Sequence, residues 1–160
     1  MSAPDVGQHC PGFDLPEADG GHVTSDSLAG HPFVLYFYPK DDTSGCTVEA
    51  IEFSALIEQF AAIGVPVFGV SPDPVKKHCK FRDKHDLKVR LLSDEDKTLL
   101  QAFGVWAEKS MYGRTYMGVE RTTALVGADG RIAQIWPKVK VAGHAQEVLS
   151  AAQALSAQPA

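Results

Sequence analysis

The chain has 160 residues, 44% of them apolar, and a formal net charge of −5. That is enough chain for one domain with a sizeable core. The acidic balance, with no run of Lys or Arg, argues against bulk nucleic-acid binding, and the apolar stretches 33–38 and 61–70 are too short to span a bilayer.

The N-terminus, Met1-Ser2-Ala3-Pro4-Asp5, has neither a basic nor an apolar segment, so no secretory leader is expected. Asp19-Gly20-Gly21 reads as a tight turn joining two short strands, 12–15 and 22–24, into an N-terminal β-hairpin. Residues 33–38 are continuously apolar and aromatic, the pattern of a central strand buried on both faces. Residues 46–63 read as a helix: Phe53, Leu56, Ile57 and Phe60 recur at three and four, and Gly64 ends the run. A second buried strand is predicted over 65–70. Ser71-Pro72-Asp73-Pro74 then opens a helix to about His85, because proline is tolerated in a first turn.

A third short strand is predicted over 89–92. Ser93 is the expected cap of the next helix, with Asp94, Glu95 and Asp96 in its first turn and Gly104 after its end. Residues 105–119 read as a long glycine-containing loop that holds Trp106, Tyr112 and Tyr116. Ala128-Asp129-Gly130 joins strands 122–126 and 131–136 into a hairpin. A helix over 144–155 follows, and 156–160 are expected to fray. Helix crossovers require parallel neighbours, and the hairpin requires an antiparallel pair. The expected architecture is one α/β domain over 1–160, a mixed sheet flanked by helices.

Cys46 carries the chemistry in this reading. It lies at the start of the helix that follows the first buried strand. A thiol there faces unpaired backbone N–H groups and the positive end of the helix dipole, which both favour the reactive thiolate. Thr43 lies three residues earlier, and its hydroxyl can donate to a thiolate or accept from a bound substrate. Gly45 admits a close approach that a side chain would block. Pro39 fixes the backbone entering the turn and can shield the site from water. A fixed cation would help most. Arg121 stands at the entrance of strand 122–126, where a sheet neighbour can carry it to the helix start, and its guanidinium stays charged. Three cysteines in all fit a reducing, cytoplasmic compartment and catalytic thiols better than a disulfide framework. The opposing reading is an inert buried thiol, since free Cys is among the most buried residue types.

Pro39-x-x-x-Thr43-x-x-Cys46 resembles the peroxiredoxin active-site motif. Phe37-Tyr38-Pro39-Lys40-Asp41 and Gly45-Cys46-Thr47-Val48-Glu49-Ala50 resemble its bacterioferritin-comigratory-protein, or PrxQ, branch. The likeness continues through Gly69-Val70-Ser71-Pro72-Asp73, His78, Tyr112-Gly113-Arg114-Thr115-Tyr116-Met117-Gly118, Arg121-Thr122-Thr123 and Gly143-His144. It implies a thioredoxin-like fold and a peroxidase acting on hydrogen peroxide and organic hydroperoxides without metal, haem or flavin. Cys46 would be the peroxidatic cysteine, Thr43 and Arg121 would bind the peroxide and polarise its O–O bond, and Pro39 would shield the pocket. Glu49, one turn into the helix, is either an orienter of Arg121 through an ion pair or an acid favoured in a first helical turn. Recycling by thioredoxin or a similar thiol reductant is implied, as is a monomer.

Many members of that branch carry a second cysteine five residues after the first, and here that position is Ile51. Cys79, in the helix after Asp73, is then the expected resolving cysteine, forming an intramolecular disulfide with Cys46. The branch places this thiol about one turn further on, near Arg82, so a one-cysteine enzyme recycled by an external thiol is the alternative. A disulfide oxidoreductase on the same fold would carry a C-x-x-C pair, but Glu49 stands at the partner position. Cys10 reads as structural. His78 and His85 read as a solvated or capping face rather than a metal site, since zinc ligands come in closer pairs.

Overall fold

Strand β3 (Phe33–Phe37) reads FVLYF, and every side chain in it is buried. Side chains alternate along a strand, so it feeds two cores at once. Val34 and Tyr36, with Tyr38 beyond the strand end, pack against Ala50, Phe53, Phe60, Phe81, Val148 and Leu149. Phe33, Leu35 and Phe37 pack against Leu15, Val23, Leu99, Leu100 and Phe103. A continuous apolar run is therefore what this position requires.

The structure, a computed structural model, describes residues 4–157. Around β3 the chain builds β1 (Asp14–Pro16), β2 (His22–Thr24), α1 (Ser44–Ala55), α2 (Ile57–Ala62), β4 (Val67–Ser71), α3 (Val75–His85) and β5 (Arg90–Ser93). It continues with α4 (Thr98–Ala102), β6 (Trp106–Met111), β7 (Arg114–Val119), β8 (Thr122–Val126), β9 (Ile132–Trp136) and α5 (His144–Ala157). A five-stranded sheet has the order β5-β4-β3-β8-β9. Its β3–β4 and β4–β5 pairs are parallel, and its β3–β8 and β8–β9 pairs are antiparallel. This is the expected mixed sheet, and β1–β2 form the expected N-terminal hairpin. Among the described residues no helix is long and apolar enough to cross a membrane.

Four expectations need correction. The helix predicted over 46–63 starts two residues earlier and breaks at Leu56, which leaves helical geometry (φ −101°, ψ 3°) and donates its N–H to the Phe53 carbonyl. Asp94, Glu95 and Asp96 precede α4 instead of opening it, because Lys97 takes a left-handed conformation first. Asp94 still acts as a cap, accepting the Leu100 N–H at 2.8 Å, while Ser93 belongs to β5. The loop predicted over 105–119 is a two-stranded antiparallel ribbon, β6–β7, turning at Tyr112-Gly113. Both turn residues have positive φ (54° and 76°), the backbone that a tight hairpin turn demands. Ser156 and Ala157 belong to α5 rather than to a frayed tail, and 158–160 lie outside the described residues, as do 1–3.

One glycine sets the geometry beneath the site. Gly69 on β4 is in register with Tyr36, and a Cβ there would lie 2.6 Å from the Tyr36 ring. That ring cannot step aside, because it is stacked on Phe53 at 4.7 Å and on Tyr38 at 5.6 Å. Gly69→Ala is expected to cost about 1–3 kcal/mol through overpacking. Denaturant titration checks this, and an unchanged midpoint would show that the stack yields freely.

Candidate active site

At the end of β3 the chain turns through Tyr38, Pro39, Lys40, Asp41 and Asp42 into Thr43, the residue that precedes α1. Pro39 is half-buried and Thr43 is exposed in an extended conformation (φ −90°, ψ 157°). The first bond of the helix is Thr47 N–H to the Thr43 carbonyl, so the N–H groups of Ser44, Gly45 and Cys46 precede the ladder. Cys46 is the third residue of α1 and is 1% exposed.

Arg121 reaches this helix start through the sheet. The β3–β8 register pairs Phe37 with Thr122, which sets Arg121 beside the turn that leaves β3. Its Nη2 donates to Cys46 Sγ at 3.2 Å and its Nη1 donates to Glu49 Oε1 at 2.6 Å. Gly45 makes room: a Cβ there would meet Arg121 Nη2 at 3.2 Å. The structure therefore brings Cys46, Glu49, Gly45 and Arg121 together. Burial works against the Arg121 charge, but Glu49 and Cys46 outweigh it and raise its pKa above the ordinary value.

Glu49 is 1% exposed, and among the described residues its Oε2 has no hydrogen-bond partner. Burial pushes its carboxyl up to about 7, with Arg121 opposing and Glu52 adding to the rise. The folded value lies above the ordinary 4.5, so the native protein binds a proton that the unfolded chain releases. Stability therefore falls as pH rises through that window, by about 3 kcal/mol in all. Acid has the opposite effect on the site, because protonation removes the charge that holds Arg121. Oxidation of the Cys46 thiol is expected to slow as pH falls through about 7. Glu49→Gln should abolish that step and flatten the pH dependence of unfolding between pH 5 and 8. Stopped-flow rates and denaturation at both pH values check it, and a Gln variant with the wild-type profile would exclude Glu49 as the titrating group.

Other predicted residues are placed differently. The Thr43 hydroxyl donates to the Lys40 carbonyl at 2.9 Å and not to Cys46. Cys79 is half-buried on α3, and its Sγ donates to the Ala18 carbonyl at 3.1 Å rather than meeting Cys46. All three cysteines are free. Burial pushes the Cys10 thiol up to about 12, which leaves almost no thiolate at neutral pH. His78 is not on a solvated face: it is fully buried, bonded to Asp41 and to the Leu92 carbonyl. Among the described residues no group of three potential ligands could hold a metal ion.

Two tyrosines escaped the sequence reading. Tyr36 packs in the same core as Cys46, and among the described residues its hydroxyl has no partner. Burial first, then Glu49 and Cys46, raise its pKa well above the phenol norm, so it stays neutral. Tyr38 donates its hydroxyl to Asp41 at 2.6 Å. Their spacing of two within the predicted strand 33–38 already put both rings on one face.

Comparison with known proteins shows the family and the fold. The profile of the AhpC/TSA family matches residues 6–135. Peroxiredoxin Bcp of Xanthomonas campestris is 47% identical over 148 residues, covering 91% of this chain and 92% of that protein. Peroxiredoxin Bcp of Bacillus subtilis is 43% identical over 152 residues, covering 95% and 97%. A solved structure of the Xanthomonas campestris bacterioferritin comigratory protein, studied for its alkyl peroxide reduction activity, gives a TM-score of 0.88 at 42% identity, covering 95% of this chain and 99% of that one. PrxQ of Xylella fastidiosa, solved as a cysteine-to-serine mutant, gives 0.90 at 39% identity, covering 96% and 98%.

Proposed function

The chain belongs to the AhpC/TSA family and is similar to Bcp peroxiredoxins, and we propose that Cys46 is the thiol with which it reduces peroxides. Its fold is the thioredoxin-like fold of that family, and its activity is that of a thiol peroxidase. The observation that supports Cys46 is the Arg121 fork, with one nitrogen 3.2 Å from Sγ and the other tied to buried Glu49.

In the first step the Cys46 thiolate attacks one peroxide oxygen. An S–O bond forms, the O–O bond breaks, and the electron pair leaves on the other oxygen, which takes a proton to become water or an alcohol. Arg121 is placed to stabilise the charge on that departing oxygen, and the free N–H groups at the start of α1 add to the effect. The Thr43 hydroxyl meets the peroxide by leaving the Lys40 carbonyl, a single rotamer change. Pro39 limits the access of water. Glu49 orients Arg121.

Cys79 resolves the product. Its thiol attacks the Cys46 sulfenic acid, a disulfide forms and water leaves. This requires Cα atoms within about 7 Å, so α3 or the start of α1 must move, and Cys79 must release Ala18. A dithiol reductant of the thioredoxin type then returns both thiols. Hydrogen peroxide and organic hydroperoxides are the substrates, and the chain works as one domain over 1–160, a cytoplasmic monomer. The thiol steps close without metal, haem or flavin.

Intact mass after one equivalent of peroxide tests the scheme. Loss of two hydrogens is expected from the wild type, and a retained oxygen from Cys79→Ser. A wild type that holds an added oxygen rejects Cys79 and favours the one-cysteine cycle, whereas a Cys79→Ser protein that still loses two hydrogens rejects Cys79 and makes Cys10 the second thiol. A wild type of unchanged mass that leaves the peroxide intact rejects the peroxidase.

A further inference from the structure

His78 is a fully buried titratable side chain outside the reacting groups. It lies on α3, one residue before Cys79, and is 0% exposed. Its Nε2 is 2.9 Å from the Leu92 carbonyl oxygen on β5. A carbonyl oxygen only accepts, so Nε2 carries a hydrogen. Its Nδ1 is 2.6 Å from Asp41 Oδ2. A neutral ring protonated at Nε2 would turn the Nδ1 lone pair against the lone pairs of that oxygen, which repels at this distance. A second proton therefore lies between His78 and Asp41. Asp41 Oδ1 already accepts from the Tyr38 hydroxyl at 2.6 Å, which favours the ionised carboxylate and leaves the proton on the ring.

The surroundings agree. Burial, then the Asp41 charge, raise the Tyr38 pKa well above the phenol norm, so Tyr38 is a neutral donor. Its oxygen is 3.5 Å from Nδ1. Asp73 Oδ2 accepts the Asp41 N–H at 2.8 Å and the Ser71 hydroxyl at 2.7 Å, and Lys77 Nζ lies 4.0 Å from Asp73 Oδ1. A buried charge is tolerable only when it is paired and fully hydrogen-bonded, and both ring nitrogens are satisfied here.

The location gives the pair its purpose. Asp41 lies in the turn between β3 and α1, two residues before Thr43 and five before Cys46. Asp42, next to it, holds a left-handed conformation (φ 61°) that is uncommon outside glycine. Asp42 also meets α3, through Lys84 at 2.7 Å and His85 at 2.9 Å, but these pairs are exposed and worth little. The buried, charge-assisted His78–Asp41 bond is the strong anchor. We propose that doubly protonated His78 is a positioning residue for the peroxide reaction: it clamps Asp41 to α3 and β5 and so fixes the turn that presents Thr43 and the α1 N–H groups beside Cys46. This rests on Cys46 as the reacting thiol.

Nitrogen-15 spectra of the wild-type protein near neutral pH are expected to show both His78 ring nitrogens protonated, with carbon-13 showing Asp41 ionised. Asp41→Asn offers a neutral partner of the same shape, its amide N–H donating to Nδ1 and its oxygen accepting from Tyr38. In that variant His78 is expected to lose the Nδ1 proton. His78→Gln cannot donate to Asp41 and Leu92 together, and its Cys46 oxidation rate should fall about 10–100-fold, as a displaced reacting group implies. Asp41→Asn should fall less. An unprotonated Nδ1 beside an ionised Asp41 in the wild type overturns the proposal, as does His78→Gln oxidising at the wild-type rate. If that variant does not fold, the two sets of spectra still decide. Wild-type protein that never oxidises at Cys46 would overturn the function beneath the proposal, whereas oxidation with a bare Nδ1 overturns only the clamp.

Discussion

Cys46→Ser is expected to reduce peroxide consumption in a thiol-coupled assay to the uncatalysed background. A serine hydroxyl is far harder to ionise than a thiol, and the side chain bonded to Sγ is a donor, Arg121, rather than a base. The fold should persist. The change swaps one small atom in a position that is 1% exposed, and the new oxygen can accept the same Arg121 hydrogen. Unfolding free energy should drop by no more than about 1–2 kcal/mol. Loss of turnover with an intact denaturation profile supports Cys46 as the nucleophile. Residual turnover at the wild-type rate would move the chemistry to Cys10 or Cys79. Cys10 is the weaker candidate, with its thiol pushed up to about 12.

What the sequence made legible follows from where the signal resides. Strand β3 was readable because both its faces are buried, so composition alone marks it. The ribbon β6–β7 was not: most of β7 is exposed, no core pattern is imposed on it, and its clearest sign was the Tyr112-Gly113 turn. Three acids in a row looked like the start of α4, yet the chain spends one of them as a cap acting from before the helix. Arg121 was found from its place at a strand entrance, but its two hydrogen bonds depend on a register between β3 and β8 that no local spacing encodes. His78 shows the same limit more sharply. It sits three residues from Val75 and three from Phe81, a spacing that puts it on the inward stripe of α3, and that clue was available. What makes its burial tolerable is Asp41, 37 residues away in sequence, and only the fold brings the two together.

Arg121→Ala should lower the second-order rate of Cys46 oxidation about 10²–10³-fold, the usual cost of removing one donor aimed at developing charge. Arg121→Lys should fall between alanine and wild type. A lysine keeps the charge but is a single point, and it cannot hold Glu49 at 2.6 Å and Cys46 at 3.2 Å from opposite arms of one plane. Stability should respond in a pH-dependent way. Without Arg121 the buried Glu49 loses the group that favours its ionised form, so its carboxyl moves further up from about 7 and the protein becomes comparatively more stable in acid. The pairing also predicts non-additivity. If Glu49 acts on the reaction through Arg121, then Glu49→Gln slows the wild type but has almost no further effect in the Arg121→Ala background. A double-mutant cycle on stopped-flow oxidation rates separates the cases. An Arg121→Ala rate within about threefold of wild type would remove the guanidinium from the chemistry. A Glu49→Gln effect that survives undiminished in the double variant would give Glu49 a role of its own at the thiol.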